Sequence, residues 1–295
     1  MIKRSFAGFH PLTDLLFFCF VIGFTMFFTH PVCLAVSLIC ALINAAVLNG
    51  KKTALFLLRF VLPMMIFIGV INPVFNHQGA TILAYLPWGN PLTLESILYG
   101  VFAGVMTGAV MLWFSAFNAV MTSDRLVCLF GRAAPALGLV ISMTLRFVPR
   151  FFARAREIRA AQESVYTVRS GFVYKLRGGV RTLSALITLS LEDALDTADS
   201  MRGRGYGLKG RTSYSLYRFH ARDAAAIAVM TVCAAAMIAM LAVGAVSFRY
   251  FPSCKGTLGG IYSVLYYIIF GAVGAAPLII GIGEGVSWKR SRSRI

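Results

Sequence analysis

The sequence is short of charge and shorter still of acid: 13% of its 295 residues are charged, and Asp and Glu together number 11. Water-soluble domains carry charge on about a quarter of their residues. The 58% hydrophobic share and the mean hydropathy of +0.77 leave more apolar surface than a soluble core of this length can hide, which excludes a soluble fold. Metal and nucleotide motifs are missing too. His10, His30, His77 and His220 form no HExxH pair, and the six cysteines include no CxxC. The glycines from Gly203 to Gly210 lack the GxxxxGK[ST] order of a phosphate-binding loop. No catalytic residue, cofactor or metal site is therefore expected, and any ATP hydrolysis falls to a partner.

What the sequence has in quantity is apolar residues in blocks. Segments near 12–28, 31–49, 54–72, 94–121, 224–247 and 261–283 approach the roughly 20 residues that cross about 30 Å of hydrocarbon, the first being the shortest. The expected fold class is all-α, a polytopic membrane protein of about six transmembrane helices. Residues 72–93 contain no Lys or Arg, whereas Lys51, Lys52 and Arg59 follow the second span, so the first of these stretches is assigned outside and the second inside. An even number of spans puts both termini in the cytoplasm. Lys3 and Arg4 at one end, and Lys289, Arg290, Arg292 and Arg294 at the other, agree. The N-terminal run reads as an uncleaved span, because no small-residue cleavage site follows it. Pro135 to Pro149, apolar but short, reads as a half-span or a helix lying against the bundle. Gly100, Gly104 and Gly108 predict close helix packing, within the chain or against a partner. Tyr85, Trp88, Tyr250, Tyr266, Tyr267 and Trp288 read as interfacial anchors, Glu95 as a solvated carboxylate at a span edge, and His77 as a loop hydrogen-bonding group.

Charge gathers in 146–222, where about fifteen Lys or Arg face about six acids. The chain therefore divides into N-terminal spans (1–145), a cytoplasmic module (146–222) and a C-terminal hairpin with a basic tail (223–295). The basic residues lie beside apolar spans, so the lipid bilayer and not nucleic acid is their expected partner. Phe147, Phe151, Ala155, Ile158 and Ala161 recur at helical spacing among Arg150, Arg154, Arg156 and Arg159, which predicts a basic amphipathic helix. A second is predicted over Leu183 to Met201, with Leu183, Leu186, Ile187, Leu191, Ala194, Leu195 and Ala198 on one stripe and Glu192, Asp193, Asp196 and Asp199 opposite. It ends at Ser200-Met201-Arg202-Gly203-Arg204-Gly205-Tyr206-Gly207. An arginine held there between glycines either neutralises the helix dipole or offers its planar fork to a partner.

The run Ala198 to Gly207, followed by Arg211-Thr212, resembles the second Ala-Arg-Gly signature of the transmembrane T component of energy-coupling-factor (ECF) transporters, with Gly203 in the alanine position and Arg204 and Gly205 completing it. His10-Pro11-Leu12-Thr13, Phe75-Asn76-His77-Gln78-Gly79 and Leu145-Arg146-Phe147-Val148-Pro149 resemble that family's N-terminal motif, its external loop and the start of its first coupling helix. One departure stands out: after Ile158-Arg159-Ala160-Ala161-Gln162 the first Ala-Arg-Gly is replaced by Ser164-Val165-Tyr166, which leaves either Arg169 or Arg159 as a substitute or one of the family's two ATPase contacts weaker or differently built. The resemblance implies a non-catalytic coupling subunit of a bacterial or archaeal cell membrane. It also implies partners: two ABC-type ATPases at the coupling helices, and a small membrane subunit that captures a vitamin or a transition-metal ion. Arg204 would anchor an ATPase, supported by Arg146, Pro149, Arg159, Gln162, Met201 and Tyr206. Two other classes stay open, an autonomous secondary transporter or channel and a membrane-embedded lipid-modifying enzyme. The nearly charge-free span centres and the lack of a polar cluster speak against them.

Overall fold

Proline and glycine set where the apolar blocks start and stop. In the computed structural model, which describes residues 8–85, 91–133, 135–165, 171–208, 217–244, 246, 248–252, 254–256 and 259–292, helices α1 (Pro11–Phe27) and α2 (Pro31–Asn49) each begin on a proline. A first-turn proline costs no intrahelical hydrogen bond, because its nitrogen would have been unpaired there in any case. Gly50, at φ +60°, closes α2. Helix α3 (Lys51–Phe75) contains a π turn over Leu57–Val61. Pro63 accounts for that turn, since it has no N–H for the Arg59 carbonyl and its ring crowds that oxygen in an α-helix.

A short antiparallel pair, β1 (Ile82–Tyr85) and β2 (Pro91–Thr93), leads into α4 (Leu94–Val120), which Thr93 caps through its hydroxyl. Then come α5 (Ser123–Ala133), α6 (Pro135–Val165), α7 (Phe172–Gly203), α8 (Ala221–Ala242), a minimal β3 (Phe248–Arg249) and β4 (Lys255–Gly256) pair, and α9 (Ile261–Arg292). By length and composition α2, α3, α4, α8 and Ile261–Gly281 of α9 can each cross a membrane. The shorter α1 has 17 residues. The chain is an all-α, multi-pass membrane protein. It forms two compact units, 1–122 with 217–295, and 123–216.

In the first unit α4 is the central helix, flanked by α1, α2 and α3, while α9 packs on α2 and α8. Its core is Phe17, Phe18 and Val21 of α1, Ala41 and Ala45 of α2, and Leu112, Trp113 and Ala116 of α4. The three glycines of α4 face α3 of the same chain, which settles that alternative. A methyl on Gly104 would lie 2.7 Å from the Met65 carbonyl oxygen, one on Gly108 2.6 Å from the Met65 sulfur, and one on Gly100 3.0 Å from the Gly69 carbonyl oxygen.

Several buried polar groups are linked across the helices. The Trp113 indole donates to Ser37 Oγ (3.1 Å), Ser37 shares a 2.7 Å hydrogen bond with Thr25, and Thr25 donates to the Val21 carbonyl (2.7 Å). Asn44 donates to the Gly274 carbonyl at 3.0 Å, joining α2 to α9. The Asp223 carboxylate accepts from the backbone N–H of His10 (2.7 Å) and from that of His220 (2.9 Å). It thus caps two helices at once.

Several expectations need correction. Arg59 lies inside α3 and not in the loop before it. Tyr250 and Tyr266 are buried, and the Tyr250 hydroxyl donates to the Thr29 carbonyl at 2.5 Å, so neither is an exposed anchor. Trp88 lies outside the described residues. Glu95 is buried at the start of α4, where it accepts the Thr81 N–H and the positive end of the helix favours its charge. His77 Nδ1 is buried without a hydrogen-bond partner among the described residues.

Replacing Gly104 by valine pushes side-chain atoms into the backbone of α3 and is expected to destabilise the protein by about 1–3 kcal/mol. Gly23→Ala, which meets nothing within 4 Å, serves as the control in a detergent thermal melt. Equal melting of the two variants would contradict this packing.

Candidate functional site

In the second unit α5 packs on α6, and α6 on α7. The apolar stretch 135–149 and the basic stretch 147–161 are one helix of 31 residues. The stretch 135–149 is thus not an element of its own but the first half of a longer helix. Pro149 sits on an exposed face, and the helix runs through it. Helix α7 likewise starts eleven residues before Leu183, at Phe172, and is 32 residues long.

The two long helices are antiparallel and joined by polar side chains. Arg154 forks onto the Asp193 carboxylate, through Nη1 to Oδ2 and through Nη2 to Oδ1 at 3.2 Å, with both side chains 26% exposed. The Thr182 hydroxyl donates to Gln162 Oε1 at 3.1 Å. Phe147, Phe151, Ala155 and Ile158 are partly covered on the same side of α6. On α7, however, Leu183, Ile187, Leu191 and Leu195 are exposed, and the partly covered residues include Thr182, Ala185, Leu186, Asp193 and Thr197. Sequence reasoning put Asp193 with the solvent-facing acids. The available signal was that Arg154 and Gln162 sit eight residues apart, within the spacing of the apolar positions of α6.

The end of α7 has a defined hydrogen-bond geometry. The Tyr206 N–H donates to the Met201 carbonyl (3.0 Å), the Gly205 N–H to the Arg202 carbonyl (3.0 Å) and the Arg204 N–H to the Ser200 carbonyl (3.1 Å). The first two bonds define a Schellman cap, with Gly203 as the last helical residue, Arg204 as the C-cap and Gly205 as the left-handed residue at φ +75°. Only glycine takes that backbone conformation without strain. Gly203 is ordinary helix with open space around its Cα, so the alanine of the signature fits here equally well. Arg204 is exposed, and its side chain has no hydrogen bond or ion pair among the described residues.

The remaining positions are less defined. Ser164 and Val165 end α6, and the Ser164 hydroxyl donates to the Ala160 carbonyl (3.0 Å). Tyr166 and Arg169 lie outside the described residues. Arg159 makes an exposed pair with Glu163 one turn on (3.0 Å), a contact worth a few tenths of a kcal/mol. Arg146 is exposed on α6. No group of three His, Cys, Asp or Glu able to hold a metal occurs among the described residues.

Fold and sequence together define a component of a membrane transporter. The profile of the CbiQ family, described as "Cobalt transport protein", matches residues 3–214, and the chain belongs to that family. It is similar to "Energy-coupling factor transporter transmembrane protein EcfT 1" of Listeria monocytogenes serotype 1/2a, at 27% identity over 206 residues, 65% of this chain and 73% of that protein. It is also similar to "Energy-coupling factor transporter transmembrane protein EcfT" of Bacillus selenitireducens, at 28% over 194 residues, 62% of this chain and 72% of that protein. A third relative, the protein of that name from Lactobacillus helveticus, is 35% identical over 95 residues, 31% of this chain and 34% of the relative.

Gly205→Ala is expected to loosen the cap by about 1 kcal/mol, while Gly203→Ala is neutral or stabilises α7 by up to about 1 kcal/mol. Amide exchange at Arg204, Gly205 and Tyr206 distinguishes the two; equal protection would rule out the cap geometry. Arg154→Asp or Asp193→Arg alone is expected to speed exchange in the facing turns of α6 and α7. The double swap restores it, and failure of the swap to rescue would mean that the pair does not join the helices.

Proposed function

We propose that this chain is the transmembrane energy-coupling subunit of an ECF-type ABC importer. It links ATP hydrolysis by two cytosolic ATPases to movement of a small membrane subunit that binds a vitamin or a transition-metal ion. The observation that carries this reading is the capped end of α7, where a guanidinium with no partner among the described residues is held by a hydrogen-bonded turn. Family membership supports the transport role, and the printed names of the relatives support the ECF type.

In this reading 146–222 is the cytoplasmic module, and both termini are cytoplasmic, in line with Lys51 and Lys52 after α2 and the basic C-terminal tail. A force applied at Arg204 acts on the end of a helix about 48 Å long. The Arg154–Asp193 and Gln162–Thr182 links make α6 and α7 move as one body, so a displacement at the cap is carried along the pair instead of being absorbed by sliding. The exposed row Leu183, Ile187, Leu191 and Leu195 supplies an apolar face for the substrate-binding subunit. The chain supplies no chemistry to ATP hydrolysis: it transmits motion. Ser164-Val165-Tyr166 marks a second ATPase contact built without the arginine of the signature.

Co-expression with candidate ATPases and substrate-binding subunits, followed by purification in mild detergent, tests the assignment. Arg204→Glu is expected to lose the ATPases and keep the membrane subunit, and Arg204→Lys to weaken the ATPase contact by about 2 kcal/mol, roughly thirtyfold. If the native chain and Arg204→Glu retain ATPases equally, the Arg204 contact is wrong. If no ATPase co-purifies with the native chain, the coupling role itself fails.

A further inference from the structure

Arg59 is a cation inside an apolar helix, and no acid among the described residues neutralises it. It is exposed, no hydrogen bond or ion pair to it occurs among the described residues, and Lys51–Phe75 contains no acid. Two residues on, in the same π turn, Val61 is fully buried, and Val61 and Met65 are the residues that meet Gly108 and Gly104 of α4. Arg59 therefore lies off the packed face. Around it Leu55, Leu58, Phe60 and Leu62 are exposed, and the Phe56 and Phe60 rings lie 5.8 Å apart.

Depth decides what can reach it. The 25 residues of α3 span about 37 Å against a hydrocarbon layer of about 30 Å, so each end overhangs by a few ångström. Arg59 lies about 12 Å along the helix from Lys51. Its Cα is thus inside the hydrocarbon, at a depth from which an arginine side chain extended toward the Lys51 end comes up to the headgroup boundary, where a phosphate can meet it. Lys51 and Lys52, both exposed, open the same helix and bring positive charge to that level.

We propose that Arg59, with Lys51 and Lys52, binds the phosphate of an anionic phospholipid in the leaflet at the Lys51 end of α3, with Leu55, Leu58 and Phe60 lying along its acyl chains. A guanidinium fork matches two phosphate oxygens, and three cations with no acid in the helix select a lipid of net negative charge over a zwitterionic one.

The test uses the full chain reconstituted in phosphatidylcholine nanodiscs with or without phosphatidylglycerol, read by native mass spectrometry for retained lipid and by thermal melting. The native chain is expected to retain phosphatidylglycerol and to melt several degrees higher in its presence. Arg59→Gln is expected to retain about tenfold less and to lose most of the melting shift. Arg59→Lys, which keeps the charge without the fork, falls between. If phosphatidylcholine and phosphatidylglycerol act alike on the native chain, the site is overturned without recourse to a variant. Equal retention by the native chain and Arg59→Gln also overturns it. So does an Arg59→Gln variant that keeps its lipid but loses a co-purifying membrane subunit, which would make a protein carboxylate the partner of Arg59.

Discussion

Within a bilayer, apolar helices gain nothing by hiding from their surroundings, because lipid tails are as apolar as leucine. Association must come from backbones that approach closely and from polar groups that find one another. The first unit is built on that constraint. Gly100, Gly104 and Gly108 bring α4 against α3 at distances where a single added methyl would collide with backbone or with Met65. The Trp113–Ser37–Thr25–Val21 chain fixes α4, α2 and α1 in register, and the Asn44 bond to Gly274 fixes α9. Each buried donor in these links ends on an acceptor, as hydrocarbon surroundings require.

The second unit obeys different rules. Its two long helices meet through a charged pair and an amide–hydroxyl bond, while leucines and isoleucines lie uncovered on α7. Such a pair holds its alignment without a large apolar core. It also leaves an apolar face of α7 uncovered while the two helices stay joined.

Much of the architecture was legible in the chain because hydrophobic blocks and basic loops report directly on the membrane. The glycine row at 100, 104 and 108 told of a close contact, and only the geometry supplied its partner. The same holds for the cap: Gly203-Arg204-Gly205 announced a helix end, but which of the two glycines needs a left-handed backbone follows from the hydrogen bonds of Met201, Arg202 and Tyr206. What escaped were pairings across space. Asp193 looks like any solvent-facing acid until α6 is laid beside it. Arg59 looks like a loop residue until Pro63 is seen to turn the chain into a π segment without ending the helix. Tyr250 and Tyr266 have the composition of boundary anchors, yet they are packed inside, Tyr250 against Tyr99, Phe102 and Phe248, and Tyr266 against Phe28 in a cluster with Cys33 and Met237.

The double cap made by Asp223 has a bearing on how the protein is assembled. The donor at His10 precedes its acceptor by 213 residues, which a ribosome adding about 5–20 residues per second needs on the order of 10–40 s to translate. Throughout that interval the N-terminal end of α1 lacks the Asp223 carboxylate, which α8 delivers only as it enters. The bond between the first helix and α8 therefore forms only once α8 has been made, which ties the earliest span to a late one.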